Sequence, residues 1–197
     1  MDLSFIPALA AFAFVSSITP GPNNLMLMAS GANFGFRRTL AHMLGVALGF
    51  VFMLVLVGAG LSGTFDRFPV SYTILKVFSV VYLLWLAWKI ANAAPPKSAV
   101  AEGRPFTFLQ AAAFQWVNPK AWAMALTAFT VYAPSQSIPA TLWVAVIFGA
   151  VNLPSIACWT ALGQELRRIL KSPRHLRAFN ITMAALLVAS LYPLFFT

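Results

Sequence analysis

Thr19-Pro20-Gly21-Pro22-Asn23-Asn24 stands inside an apolar run that reads from residue 3 to residue 28. A run of that length is what a bilayer crossing needs, since about 20 apolar residues at ~1.5 Å each cover a hydrocarbon core about 30 Å thick. Pro20 and Pro22 each remove a backbone donor and press on a preceding carbonyl, so a regular helix cannot run through them. Irregular backbone at membrane depth is tolerated only where protein or a water-filled cavity satisfies its polar groups. The stretch therefore predicts lipid as the solvent and a polar site within it.

Five more windows are long and apolar enough to cross: 39–62, 70–92, 107–131, 138–162 and 178–197. The predicted fold is an all-α membrane protein of six transmembrane helices. Only the break at 93–105, holding Pro95, Pro96, Lys97, Glu102 and Arg104, is long enough to act as a linker. The chain reads as a single transporter domain over 1–197, with half one at 1–92, the linker at 93–105 and half two at 106–197. Three helices per half is an odd number, so related halves would insert in opposite orientations, the 3+3 inverted repeat of many secondary transporters. Identity between the halves is faint; the expectation rests on matched interruptions in helices one and four.

The second interruption is Gln115-Trp116-Val117-Asn118-Pro119-Lys120, at the corresponding place of the second half. A broken helix points donors from one half-helix end and carbonyls from the other at the same space, which suits a zwitterion such as an amino acid. The alternative is a pair of proline kinks fixed by packing. Candidate substrate-binding residues are Thr19, Asn23, Asn24, Asn118, Lys120 and Asn152, and candidate hinge residues are Pro20, Gly21, Pro22, Pro119 and Pro154.

Lys120 is the one charge deep in an apolar window; Asp2, Asp66, Glu102 and Glu165 all sit near helix ends. Buried charges in membranes usually face an interior or a pathway. Three readings stand: Lys120 meets a substrate carboxylate, is held by carbonyls freed at the first break, or snorkels to the cytoplasmic surface. Asn152-Leu153-Pro154-Ser155 is a weaker third interruption, whose Asn serves either the site or a neighbouring helix. His42, four residues after Arg38, is either a proton relay or a marker of the membrane interface. Gly31 with Gly35, and Gly45 with Gly49, have spacings that permit close helix approach.

Composition agrees: 60% of residues are hydrophobic and 9% charged, with mean hydropathy +0.82, whereas soluble domains carry roughly 25% charged residues. The net charge of +9 does not read as nucleic-acid binding, because the basic residues lie between apolar runs and not along one face. They read as topology signals. Arg37, Arg38, Lys89, Lys97, Arg104, Arg167, Arg168, Lys171, Arg174 and Arg177 fall at breaks one, three and five; breaks two and four hold Arg67 and nearby Lys76. Ten against two places both termini on the outer side. No cleavable signal peptide is expected, since Asp2 replaces a basic n-region.

Two histidines and four scattered carboxylates form no catalytic triad or metal-ligand spacing. Neither Gly-Lys-Ser nor Gly-Lys-Thr occurs, so no nucleotide-binding loop is expected. No cofactor is expected either, and energy for pumping must come from an ion gradient or an external motor. The lone Cys158 allows no redox pair, which counts against a thiol-shuttling membrane redox protein; its apolar surroundings suggest a small core residue. A passive small-solute channel remains an alternative.

Thr19-Pro20-Gly21-Pro22-Asn23, followed by Gly35-Phe36-Arg37 and the Gly45–Gly49 spacing, resembles the LysE family of amino-acid exporters, and Asn118-Pro119-Lys120 matches that family's second motif. The resemblance covers essentially the whole chain. Residues 82–91, 115–118 and 158–163 look like the branch exporting cysteine and O-acetylserine; homoserine, threonine and leucine are the other substrates in view. The resemblance implies efflux through the bacterial inner membrane, driven by the proton motive force. Expected partners are then a small amino acid, protons and the lipid bilayer, with a homodimer left open.

Overall fold

In the computed structural model, residues 5–61, 67–92, 104–133, 137–170 and 172–192 are described. Most of the 93–105 linker and both chain ends lie outside them. Among the described residues every regular element is a helix. In order these are α1 (Ile6–Ile18), α2 (Pro22–Phe34), α3 (Phe36–Leu56), α4 (Pro69–Ala91), α5 (Phe108–Phe114), α6 (Pro119–Thr127), α7 (Ile138–Ile169) and α8 (Pro173–Ala189). Wider π turns at Val57–Leu61 and Ala128–Tyr132 continue α3 and α6, and a tighter 3-10 turn at Gln115–Val117 follows α5.

Among the described residues three segments are long and apolar enough to cross a membrane alone: Phe36–Leu61, Thr73–Ala91 and Ile138–Leu166. α1 and α2 have 13 residues each, about 20 Å of rise apiece, short of a 30 Å core. The chain stops helix at Ile18, is extended at Thr19, and restarts at Pro22. α5 and α6 are shorter still, at 7 and 9 residues, and are divided at Asn118, where ψ is 107°.

Small residues decide how closely these helices pack. Gly35 makes the turn from α2 to α3 at φ 84°, a left-handed conformation that glycine adopts without a Cβ penalty. The first amide of α3, Phe36 N–H, then donates to Gln164 Oε1 on α7 at 2.7 Å. Gly45 and Gly49 bring α3 against α5, and a Cβ at Gly49 would lie 2.6 Å from Ala112 Cα. α2 and α7 meet backbone to backbone through Gly31 and Gly163. α4 and α8 pair with each other and bury Leu83, Leu86, Met183 and Leu187 against Leu25 and Met26 of α2 and Phe114 of α5.

α7 runs through Pro154 without a break. A single proline withholds only the donor that Ala150 O would accept, and Pro154 is on an exposed side of the helix. Cys158 is exposed too, not packed in the core as its apolar neighbours suggest, because the inward positions here are Asn152, Ser155, Ile156 and Thr160. In lipid an apolar stretch has no outward polar face to betray its orientation.

Candidate functional site

The prolines at 20 and 22 dictate which carbonyls need partners. In a continuous helix Ser16 O would accept from residue 20 and Ile18 O from residue 22, and both positions lack N–H. Side chains replace every missing donor. Thr19 Oγ1 donates to Ser16 O at 3.1 Å, and Trp159 Nε1, from α7, donates to Ile18 O at 3.0 Å. Asn24 Nδ2 donates to Ser17 O at 2.8 Å and Thr19 O at 2.7 Å. Lys120 Nζ, from α6, donates to Thr19 O at 2.7 Å, Thr19 Oγ1 at 3.0 Å and Pro20 O at 3.2 Å.

Of the three readings of Lys120, the geometry matches the second: its ammonium is held by carbonyls freed at the first break. Its aliphatic stem runs over Gly21, where a Cβ would lie 2.5 Å from Lys120 Cδ and 3.0 Å from Nζ. The φ of Gly21 is −175°, extended backbone open to any residue, so glycine is needed here for room and not for conformation.

The second break is closed by the same means. Asn118 Oδ1 accepts the Lys120 backbone N–H at 3.1 Å and so caps α6. Trp122 Nε1 donates to Trp116 O at 3.0 Å, so one indole serves each break. The two breaks also bond to each other. Asn23 Nδ2 donates to Gln115 Oε1 at 2.9 Å, while Gln115 Nε2 donates to Asn23 Oδ1 at 3.3 Å and Ala111 O at 2.9 Å. Gln115 is fully buried.

Where the breaks meet they enclose a cavity of about 20 Å³, lined by Ser17, Asn23, Asn24, Asn118, Lys120 and Asn152 among others. That volume suits a single water. Beyond Gly21 and Lys120 lies a second cavity of about 510 Å³, walled by Pro20, Pro22, Pro119, Lys76 and Tyr192. Among the described residues neither wall contains an acidic side chain. The expected site residues thus gather around one point, apart from Pro154. Sequence reasoning overlooked Ser17, whose buried hydroxyl has no hydrogen-bond partner among the described residues, and also Gln115, Trp122 and Trp159 as donors. A serine one turn before the first proline was the available signal for Ser17.

Asn24→Ala removes both its bonds to the end of α1; Thr19 O keeps the Lys120 ammonium, but the buried Ser17 O is left bare, at about 1–3 kcal/mol. Thermal unfolding in detergent should occur at a lower temperature than for the unmodified protein.

The family model of LysE type translocators matches residues 14–190. The chain belongs to the LysE family. It is therefore a transport protein and not an enzyme, and its apolar helices agree with a membrane setting. The cysteine/O-acetylserine efflux protein of Escherichia coli is 29% identical to the translocator over 191 residues, covering 95% of this chain and 96% of that relative. The protein of the same description from Shigella sonnei matches with the same identity and coverage. No solved structure matches.

Proposed function

We propose that the protein exports small amino acids or their derivatives, of the cysteine and O-acetylserine type or the homoserine, threonine and leucine type, across the bacterial inner membrane. The observation that carries this reading is the meeting of the two interruptions around a polar cavity with no carboxylate among the described residues of its wall. Donors of Asn23, Asn24 and Lys120 with acceptors of Asn118 and Thr19 supply what a zwitterion needs. The relatives named for cysteine and O-acetylserine efflux support the substrate class.

In this reading the six crossings are α1 with α2, α3, α4, α5 with α6, α7 and α8, in two halves at 1–92 and 106–197. The packing favours an inverted repeat. α1 and α2 of the first half lie on α7 of the second, and α5 of the second lies on α3 of the first. α3 pairs with α7 and α4 with α8. Such reciprocity is what a two-fold relation between halves requires. The ten-to-two bias of basic residues supports both termini facing outward.

An amino acid is several times larger than the water-sized space between the breaks, so this arrangement corresponds to a closed state. Two contacts would have to open in turn. The Asn23–Gln115 pair closes the side facing α5, and Lys120 over Thr19 and Pro20 separates the small cavity from the 510 Å³ one. Alternating access then consists of breaking one contact while the other holds, with Pro20, Pro22 and Pro119 keeping the interruptions fixed and protons as the coupling ion.

Inside-out membrane vesicles under an imposed proton gradient test this. Gradient-dependent accumulation of radiolabelled cysteine, O-acetylserine, threonine or leucine is the expected result, and accumulation of lysine alone would overturn the substrate class. Equilibration without accumulation would identify a passive channel, and no flux of any of them would overturn the substrate class. Asn23→Ala strands a buried Gln115 and should lower gradient-driven uptake about tenfold; uptake at the unmodified level would remove Asn23 from the site.

A further inference from the structure

A third cavity, of about 590 Å³, lies between the two halves at the end of the helices where basic residues collect; its wall includes Asn33, His42, Tyr82, Lys89, Arg104 and Gln110. His42 is only 2% exposed, and neither Nδ1 nor Nε2 has a hydrogen-bond partner among the described residues. An orphaned buried imidazole is costly and calls for an occupant. The ring is held in place by Phe106 at the start of the second half, with centroids 5.2 Å apart.

Among the described residues the charges around the cavity have one sign. Lys89 stands with its ammonium 4.8 Å from the centre of the Trp85 ring, Arg104 approaches from the segment before α5, and no described residue of the wall is a carboxylate. Tyr82 is the remaining titratable group in the wall. Arg38, one turn before His42, is turned onto Phe34 at 5.5 Å. Such a cavity attracts an anion, and the imidazole beneath its wall has a donor left unspent.

We propose that this cavity is a separate inner substrate site, in which Lys89 and Arg104 attract the carboxylate of an incoming amino acid and the His42 ring, whose nitrogens lie beneath the wall, turns to donate a hydrogen bond to it. The proposal rests on the export reading above. A ligand here lies between His42, Tyr82 and Lys89 of the first half, Arg104 at the end of the linker, and Phe106 and Gln110 of the second half, so its arrival bears on how the halves sit.

The test uses inside-out vesicles, whose outer face is the one the substrate meets, and whichever radiolabelled amino acid the unmodified protein accumulates. His42→Phe keeps a ring against Phe106 and removes the donor. It should raise the half-saturating concentration about tenfold or more while leaving the saturated rate unchanged. His42→Gln, which restores a donor, should recover most of the loss. Lys89→Gln, on an exposed helix end, should raise the half-saturating concentration without touching the core.

An unchanged half-saturating concentration in both His42→Phe and Lys89→Gln would overturn the inner site while leaving export intact. Failure of the unmodified protein to accumulate any amino acid would remove the export reading and the inner site with it. An anionic lipid headgroup has similar chemistry, so the same variants are compared in liposomes of phosphatidylcholine alone and with added phosphatidylglycerol. A His42→Phe effect present only with phosphatidylglycerol would assign the cavity to lipid and overturn the proposal; an effect in both supports it.

Discussion

Replacing Lys120 by methionine is expected to reduce gradient-driven efflux at least about a hundredfold. The ammonium gives hydrogen bonds to Thr19 O, Thr19 Oγ1 and Pro20 O, and a bond from a charged donor contributes about 1.5–3 kcal/mol. Methionine matches the length of the stem and supplies none of these bonds. Thr19 O then keeps only the Asn24 amide and Pro20 O loses the ammonium, and the barrier between the small cavity and its larger neighbour goes with these bonds. The amount of protein in the membrane should change much less, because α6 is capped by the Asn118 side chain, which stays.

Two further variants separate the position of this charge from its presence. Lys120→Arg keeps the charge but must pass a broad planar group over Gly21, where the present stem already leaves no room for a Cβ; it should recover only part of the efflux. Gly21→Ala keeps the lysine and pushes it off its acceptors, so it should lose about tenfold. Transport rates normalised to membrane abundance give the comparison. Efflux at the unmodified level in Lys120→Met would mean that the ammonium is neither gate nor binding group.

The places where helices stop were legible in the sequence, because proline acts through its own missing donor and two of them two residues apart leave no way through. The partners that make those places stable were not legible. Trp159 reaches Ile18 O across 141 positions of sequence and Gln115 reaches Asn23 across 92, and no local pattern encodes such distances. The same limit explains Pro154. Alone on an exposed side, it leaves one carbonyl short and α7 absorbs it, although by sequence it resembles the other breaks. The Gly45 and Gly49 spacing did mark a close approach, since both face α5. Gly31 and Gly35 have the same spacing and divide the work: Gly31 packs on α7, while Gly35 makes a turn that only its φ reveals. His42 was noticed for its chemistry, but that both its nitrogens lack partners depends on what surrounds it in space.

Gly163→Leu is expected to be the most damaging single change to stability, at about 3 kcal/mol or more. Helices in lipid gain little from burying apolar surface against each other, so they depend on close packing at small residues. A Cβ at Gly163 would collide with the carbonyl of Met28 and lie 3.0 Å from Met28 Cα; at Gly31 it would collide with the Thr160 carbonyl and lie 3.2 Å from Gln164 N. These are backbone atoms and cannot rotate away, so α2 and α7 must separate, and strain of this kind exceeds the usual 1–3 kcal/mol of overpacking. Separation also withdraws Trp159 from Ile18 O at the end of α1 and Gln164 from Phe36 N–H at the start of α3, which loosens the connections on both sides of α2. Gly149→Ala in the same helix is the matched control: its Cβ would meet only Val51 Cγ2, at 3.2 Å, a side-chain methyl that can yield, so its effect should stay below about 1 kcal/mol. Thermal unfolding in detergent and abundance in the membrane report both variants. A Gly163→Leu protein as stable as the Gly149→Ala control would mean that α2 and α7 are not in backbone contact, and the cavity between the breaks would lose the wall that positions Asn152 beside Asn24.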